Sequence, residues 1–318
     1  MNKKVVKSFV IMISIFLILS GCDSDIEKQS SSTSGPPNIL MLYVDDLGVN
    51  DVGIYGSTHA KTPTLDRIAQ EGVRFTRHYA ESTCSPARAA LLSGRFPARA
   101  GFSPNGPGLS PQLNTLPRAL KSLGYSTHHV GKWHMGHIST LAWPGSVGFD
   151  TWFGYLNQWL MAKPYDHSLP DNIYTNPTYI NPWLKDESND SRQYQGHLTD
   201  IVTEKTMSLI KENKNNLNPW FINHWYYLPH NPLQPAERFK KNFDGTPHGR
   251  YLAMLAQLDD SVGQILEALK QSGQDQNTIV VIASDNGGTN MHIDNNAPFF
   301  GKKGHLVEGA VRTPMMIR

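Results

Sequence analysis

The sequence predicts an α/β fold, with a large mixed, mostly parallel central sheet flanked by helices. Three observations predict it. Residues 38–44, NILMLYV, and 278–284, TIVVIAS, are continuous apolar runs of strand length, the pattern of strands buried on both faces. Each runs directly into a polar cluster, Asp45-Asp46-Leu47-Gly48 after the first and Asp285-Asn286-Gly287-Gly288 after the second. Between them lie segments of helical periodicity, and this alternation argues for parallel strands joined through helices. In such sheets ligands bind beyond the carboxyl ends of the strands, where both polar clusters are expected.

Taken in order, the first helix is expected after Thr62 and Pro63, with Leu65, Ile68 and Ala69 on one face and Gly72 as its stop. A short strand follows at Val73 to Phe75. A second helix is expected from Pro86 to Ser93, closed by Gly94, and a third from Thr115 to Leu123. The strand-like YSTHHVG comes next, then residues 139–196, rich in Trp, Tyr, Pro and Asn, which break the pattern and are expected as loops over the site. A helix from His197 to about Lys211 leads to the apolar run WFINHWYY at 220–227. Tyr251, Leu255, Leu258, Val262, Ile265, Leu266 and Leu269 mark a long amphipathic helix before the last apolar run.

The N-terminus has a different character. Lys3, Lys4 and Lys7 precede an apolar run from Phe9 to Leu19, then Ser20, Gly21 and Cys22. This is the layout of a secretory signal over residues 1–21, the alternative being an uncleaved membrane anchor. Leu19-Ser20-Gly21-Cys22 resembles the bacterial lipobox, which implies lipidation of Cys22 and an exported, membrane-anchored lipoprotein facing the periplasm or the cell surface. Residues 22–37 then serve as lipidated Cys and flexible tether, and 38–318 as the globular domain. With two cysteines, a Cys22–Cys84 disulfide is the arithmetic alternative; if Cys22 carries lipid, Cys84 is a solitary thiol in an oxidising compartment. A net charge of +2 with mixed signs and no basic stripe argues against a nucleic-acid partner.

Asp45, Asp46, Asp285 and Asn286 offer only oxygen ligands from the ends of two strands, a set that suits calcium better than zinc. Taken singly, each pair is ordinary cap or turn chemistry. Cys84 lies at the mouth of a helix, with Arg88 four residues on, so it is read either as a low-pKa thiolate nucleophile or as a buried inert cysteine.

Cys84-Ser85-Pro86-Ala87-Arg88, with Ser93-Gly94 further on, resembles the signature of the type I sulfatase family. NILMLYVDDLG, GYSTHHVGKWHMG (124–136), LPHNPL (228–233), SDNGG and GKKGHLVEGAVRTP (301–314) resemble that family's remaining blocks, in order, across almost all of residues 38–318. The resemblance implies an alkaline phosphatase-like fold and a sulfuric ester hydrolase acting on sulfated small molecules or carbohydrates. It implies that Cys84 is oxidised to Cα-formylglycine by a formylglycine-generating enzyme or a radical maturase, and that one hydroxyl of the hydrated aldehyde is the nucleophile. Asp45, Asp46, Asp285, Asn286 and the modified Cys84 would hold one divalent cation, with Asp285 also receiving the nucleophile's proton. Arg88 would orient the diol and the ligands; Lys132, His134 and Lys303 would surround the sulfate; His230 would protonate the leaving alcohol. His134 would take the proton of the second hydroxyl.

Residue choices remain at this stage. His128, His129 and His137 compete with His134, Lys302 competes with Lys303, and Ala310 stands where the family has a second glycine. Trp143, Trp152, Trp159 and Trp183 are either sugar-stacking residues or core. Family members continue past the Arg-x-Pro segment, so the chain is expected to be C-terminally truncated, with an open sheet edge. The competing functions are a phosphonate or phosphate monoester hydrolase and a non-catalytic surface binding protein.

Overall fold

The computed structural model describes residues 35–103, 108–163, 176–188 and 190–318. Cys22, the signal-like segment and most of the tether lie outside the described residues. Among the described residues, nine strands form one sheet: β1 (Asn38–Val44), β2 (Val73–Phe75), β3 (Ser126–Lys132), β4 (Thr151–Tyr155), β5 (Trp183–Asp186), β6 (Ser191–Gln193), β7 (Trp220–Trp225), β8 (Thr278–Ser284) and β9 (Met315–Ile317). Their order is β2-β9-β8-β1-β7-β3-β4-β5-β6. The five central strands β8, β1, β7, β3 and β4 are parallel, and the flanking pairings β8–β9, β9–β2, β4–β5 and β5–β6 are antiparallel. This is the mixed, mostly parallel α/β sheet expected.

The helices are α1 (Pro63–Glu71), α2 (Cys84–Ser93), α3 (Leu116–Ser122), α4 (Leu198–Glu212) and α5 (Pro247–Gln271), with four-residue helical turns at Glu237–Lys240 and Glu308–Val311. Alternate residues of β1 explain why the run had to be apolar throughout. Leu40, Leu42 and Val44 face a core shared with Leu255, Leu258 and Val262 of α5, while Met41 and Tyr43 face a second core with Ala89 and Leu92 of α2. No helix among the described residues is long and apolar enough to cross a membrane.

Two expectations change. Helix α2 starts at Cys84 rather than Pro86, so the cysteine sits inside the first turn, with Thr83 extended before it and Gly94 left-handed after it. Residues 139–196 are not only loops: β4, β5 and β6 widen the sheet. Their aromatic content partly serves packing, since Trp143 and Trp152 are 6% and 5% exposed and meet edge to face at 5.9 Å. These two are core, which overturns their candidacy as sugar-stacking residues; Trp159 remains 40% exposed. At the sheet edge, β2 pairs only with β9, and Val73 is 57% exposed.

The loop after β1 is anchored by a residue the sequence did not single out. Asp51 is fully buried and accepts from the Gly48 amide at 2.8 Å, the Tyr251 hydroxyl at 2.9 Å and Asn295 Nδ2 at 2.9 Å. Gly48 has to be glycine, because a Cβ there would lie 2.1 Å from the Asn295 carbonyl oxygen. Burial raises the Asp51 carboxyl to about 7, against the pull of Asn295, Gly48 and Tyr251. From about pH 4, where a free Asp titrates, up to about 7, the folded chain keeps a proton that the unfolded chain has released. Stability from this group is therefore present below that window and is lost as the pH rises through it. The melting temperature of the wild type should fall across the window, and Asp51→Asn should flatten the fall; an unchanged slope in scanning calorimetry would refute the assignment.

Candidate active site

Strand register builds the site. Val44 is paired with Ser284, and the Asp285 amide donates to the Val44 carbonyl at 3.0 Å, so Asp45-Asp46 and Asp285-Asn286 leave adjacent strand ends together. The Asp46 amide donates to Asp285 Oδ1 at 3.1 Å, and Asp46 takes φ of +65° to turn its side chain back toward the cluster. Helix α2 brings Cys84 from the other side. One ligand atom each from Asp45, Asp46, Cys84 and Asp285 lies within 4.8 Å of all the others, and the four residues are buried. The ordinary cap-and-turn reading of the two acidic pairs is thereby set aside.

Three cations surround the three carboxylates. Arg88 is fully buried; its Nε and Nη2 donate to Asp285 Oδ2 at 3.1 and 2.7 Å, and its guanidinium lies 4.8 Å from the centre of the Trp225 ring. Lys132, at the carboxyl end of β3, bonds Asp45 Oδ2. Lys303 Nζ bonds Asp46 Oδ1 and donates to Cys84 Sγ at 2.9 Å, whereas Lys302 is exposed. The choice between the two lysines thus falls to Lys303. Asn286 Nδ2 donates to Asp46 Oδ1 at 2.7 Å, while Asn286 Oδ1 is buried with no partner. Ala310, the departure from the family pattern, sits in the helical turn Glu308–Val311 without a left-handed φ, and its carbonyl accepts from the Gly287 amide at 2.7 Å. The alanine costs the turn nothing; Gly309 beside it is the constrained position, since a Cβ would approach the Phe300 carbonyl oxygen to 2.6 Å.

The electrostatics overturn one expectation. The Cys84 thiol donates to Asp45 Oδ1 at 3.1 Å, and burial, then Asp285 and Asp45, push its pKa well above the ordinary thiol value. The helix terminus alone suggested a thiolate; burial, with the carboxylates of Asp285 and Asp45, outweighs it. Burial also raises Asp285, helped by Asp45 and opposed by Arg88, to about 6. Burial acts on Asp45 in the same direction, but Lys132, His230, Arg88 and Lys303 together hold it well below the usual carboxylate range. Lys303, despite burial, is held well above the usual amine range by Cys84 and Asp46.

Two histidines complete the set. His134 follows β3 with φ of +60°, an uncommon and costly backbone state for this residue, and its Nδ1 is buried without a partner. Burial, then the charges of Lys132 and Arg88, lower its pKa strongly, so the ring is neutral. His128 and His129 lie within β3 instead: His128 Nδ1 meets Thr151 Oγ1 at 2.8 Å, and His129 sits edge-on to Trp133 and Trp225. His137 is tied by Asn157 Nδ2 at 3.3 Å. His230 presents Nε2 to Asp46 Oδ2 at 3.7 Å, and its Nδ1 lies 2.7 Å from the Asn231 carbonyl oxygen. A bare ring nitrogen would repel a carbonyl oxygen at that distance, so Nδ1 carries a proton and Nε2 faces the cluster. Burial lowers the His230 pKa, with Asp46 and Asp45 opposing it.

The sequence did not single out Tyr155, Tyr179 or Tyr227. Tyr155 is opposite Lys132 in the sheet, and Tyr227 lies 5.4 Å beneath the Lys132 ammonium. Tyr227 carried the only available signal, its place just before the Pro-His block.

With this geometry in hand, comparison with known proteins is specific. A family model described as Sulfatase matches residues 37–318. The N-acetylgalactosamine-6-sulfatase of Rattus norvegicus is 34% identical over 300 residues, covering 88% of this chain and 56% of that protein. The N-acetylgalactosamine-6-O-sulfatase of Bacteroides thetaiotaomicron is 29% identical over 326 residues, covering 85% of this chain and 62% of that one. Among solved structures, Ps i-CgsB in complex with k-i-k-neocarrahexaose has a TM-score of 0.79 at 30% identity, covering 89% of this chain and 66% of its own. The chain therefore spans little more than half the length of the rat protein.

Proposed function

The chain belongs to the sulfatase family, and from that premise we propose that it hydrolyses sulfate monoesters of carbohydrates, using a formylglycine made from Cys84 and one divalent cation, calcium. The observation that carries the reading is the buried meeting of Cys84 with Asp45, Asp46 and Asp285. The carbohydrate class is supported by relatives named N-acetylgalactosamine-6-sulfatase and N-acetylgalactosamine-6-O-sulfatase and by a neighbour in complex with k-i-k-neocarrahexaose.

The residues present fit a hard cation. Asp45, Asp46, Asp285 and Asn286 supply oxygen alone, and the unpartnered, buried Asn286 Oδ1 is an acceptor that calcium would satisfy. The carboxylates of Asp45, Asp46 and Asp285 are already matched by Lys132, Lys303 and Arg88, so an added dication leaves the site positive toward an anionic ester. When bound, the ion would lower the pKa of the nucleophilic hydroxyl and neutralise a sulfate oxygen. The aldehyde hydrate would supply that hydroxyl, together with a second one through which sulfate is later eliminated.

The chain's own residues do the rest. Asp285, held by two Arg88 nitrogens at 3.1 and 2.7 Å, would receive the nucleophile's proton. Arg88 keeps Asp285 oriented, and Lys132 does the same for Asp45. Lys303, between Asp46 and Cys84, brings positive charge to the reacting atom. His230, protonated on both ring nitrogens with Nε2 3.7 Å from Asp46 Oδ2, would deliver the Nε2 proton to the leaving oxygen, and His134, whose buried Nδ1 has no partner, would accept the proton of the second hydroxyl.

The test is peptide mass spectrometry across Cys84 after co-expression with a maturation enzyme, followed by turnover of matched sulfate and phosphate esters with calcium and with chelator. The expected result is a loss of about eighteen mass units at Cys84, the thiol-to-aldehyde change, with sulfate turnover that chelation abolishes. An unmodified thiol beside a matured control would support a binding protein instead, and faster phosphate turnover would support a phosphatase. The export reading rests on Leu19-Ser20-Gly21-Cys22 and places the enzyme at a membrane. Detergent-free release of a Cys22→Ser variant, against retention of the wild type, tests it.

A further inference from the structure

We propose that Tyr179 is a positioning residue that sets His230 for proton delivery to the leaving group; this inference rests on the sulfatase reading above. Tyr179 comes from the irregular stretch before β5 and is fully buried. Its hydroxyl lies 2.8 Å from the carbonyl oxygens of both Tyr227 and His230 and donates between them. The two carbonyls bracket the segment that carries the His230 ring, so one hydroxyl fixes the backbone on either side of it.

The rings repeat the arrangement. His230 stacks on Tyr227 at 4.8 Å, Tyr227 on Tyr179 at 4.9 Å, and Tyr179 on His197 at 5.3 Å, with interplanar angles of 24°, 28° and 21°. The column has a firm base. His197 Nδ1 accepts from the Thr199 amide at 3.2 Å and lies 3.0 Å from Gln257 Nε2, so the last ring is pinned to α4 and α5. The Tyr179 amide donates to Gln234 Oε1 at 2.9 Å, and its carbonyl accepts from the Leu198 amide at 2.7 Å. At the other end, the Tyr227 hydroxyl donates to the Asn231 carbonyl at 2.6 Å, the same oxygen that His230 Nδ1 contacts. His230 thus takes its ring plane from the stack, and its Nδ1–H is held by the carbonyl that Tyr227 also holds, which leaves Nε2, protonated in the imidazolium, facing the site. Both effects direct Nε2 toward the Asp46 side of the site, where the leaving oxygen has to be protonated.

A residue that acts only through His230 has a distinctive kinetic mark. Proton delivery matters when the leaving group is a poor one, such as an alkyl or sugar alcohol, and little when it is a stabilised phenolate. The experiment uses matured, calcium-loaded protein and compares 4-nitrophenyl sulfate with a hexose 6-sulfate. Tyr179→Phe keeps the ring and removes the hydroxyl. It is expected to lower kcat on the sugar sulfate by roughly tenfold to a hundredfold, part of the general-acid contribution. KM and turnover of the nitrophenyl ester should stay within about threefold of the wild type. His230→Ala should show the same selectivity with a larger loss. Tyr227→Phe is the second variant, should the first fold poorly, and carries the same expectation through the Asn231 carbonyl. An equal loss on both esters, or no loss on either, overturns the inference while leaving the sulfatase reading intact. A wild type that turns over neither ester overturns both.

Discussion

Replacing Cys84 with alanine is expected to abolish turnover, with a fall in kcat on the order of 10⁶-fold, the scale seen when a hydrolase loses its nucleophile. The expected size follows from the position of the side chain. Among the described residues, Cys84 is the one in contact with both Asp45, at 3.1 Å, and Lys303, at 2.9 Å. The thiol itself is unsuited to the work, because its pKa is pushed well above the ordinary value and it is 3% exposed. Activity carried by an unmodified thiol would be sensitive to iodoacetamide and would rise with pH; activity carried by the aldehyde would be indifferent to alkylation. Full inactivation of matured protein by iodoacetamide would sink the formylglycine assignment even if Cys84→Ala were inactive.

The second large effect is expected at Arg88. Arg88→Met should destabilise the fold by about 3–5 kcal/mol, because removing one member of a buried ion pair strands the charge of the other. For a chain of this size that corresponds to a drop in melting temperature of roughly 10 °C. Two guanidinium nitrogens converge on Asp285 Oδ2, and Asp45 Oδ1 lies 3.8 Å away, so Asp285 loses its nearest compensation, whereas Asp45 keeps Lys132. Arg88→Lys should recover little, since an ammonium cannot reproduce both donors or the stacking on Trp225. Calcium gives the decisive control. If the loss is electrostatic, saturating calcium should raise the melting temperature of Arg88→Met more than that of the wild type. An equal calcium shift in both proteins would mean that packing, rather than charge, is what the arginine supplies.

The two variants probe different origins of the site. Cys84, Arg88 and the acidic clusters were legible because each sits in a short local motif with its own chemistry. Strands β1 and β8 were legible to the residue because a parallel strand covered on both faces has to be apolar at every position. The helices α1, α4 and α5 were legible from caps and from the spacing of their apolar faces. Four histidines between 128 and 137 could not be ranked by spacing. The strand ranks them: His128 and His129 fall inside β3 and turn to opposite faces of the sheet, whereas His134 lies past its end, on the side of the site.

Composition also left the tryptophans undecided, because a ring that can stack on a sugar is equally suited to a core. Burial of Trp143 and Trp152 decided against the sugar for those two. By itself, then, the sequence determined the fold class, the strands that end in the acidic clusters, and the motif that singles out Cys84. These depend on neighbours along the chain. The tertiary structure alone decided the high pKa of the thiol, the pairing of Arg88 with Asp285, the neutrality of His134 and the stack that holds His230. Each of these depends on sheet order, which sets β8 beside β1 and folds Tyr179 under Tyr227. Local periodicity carries no record of that order, and charges and dipoles act through space rather than along the chain.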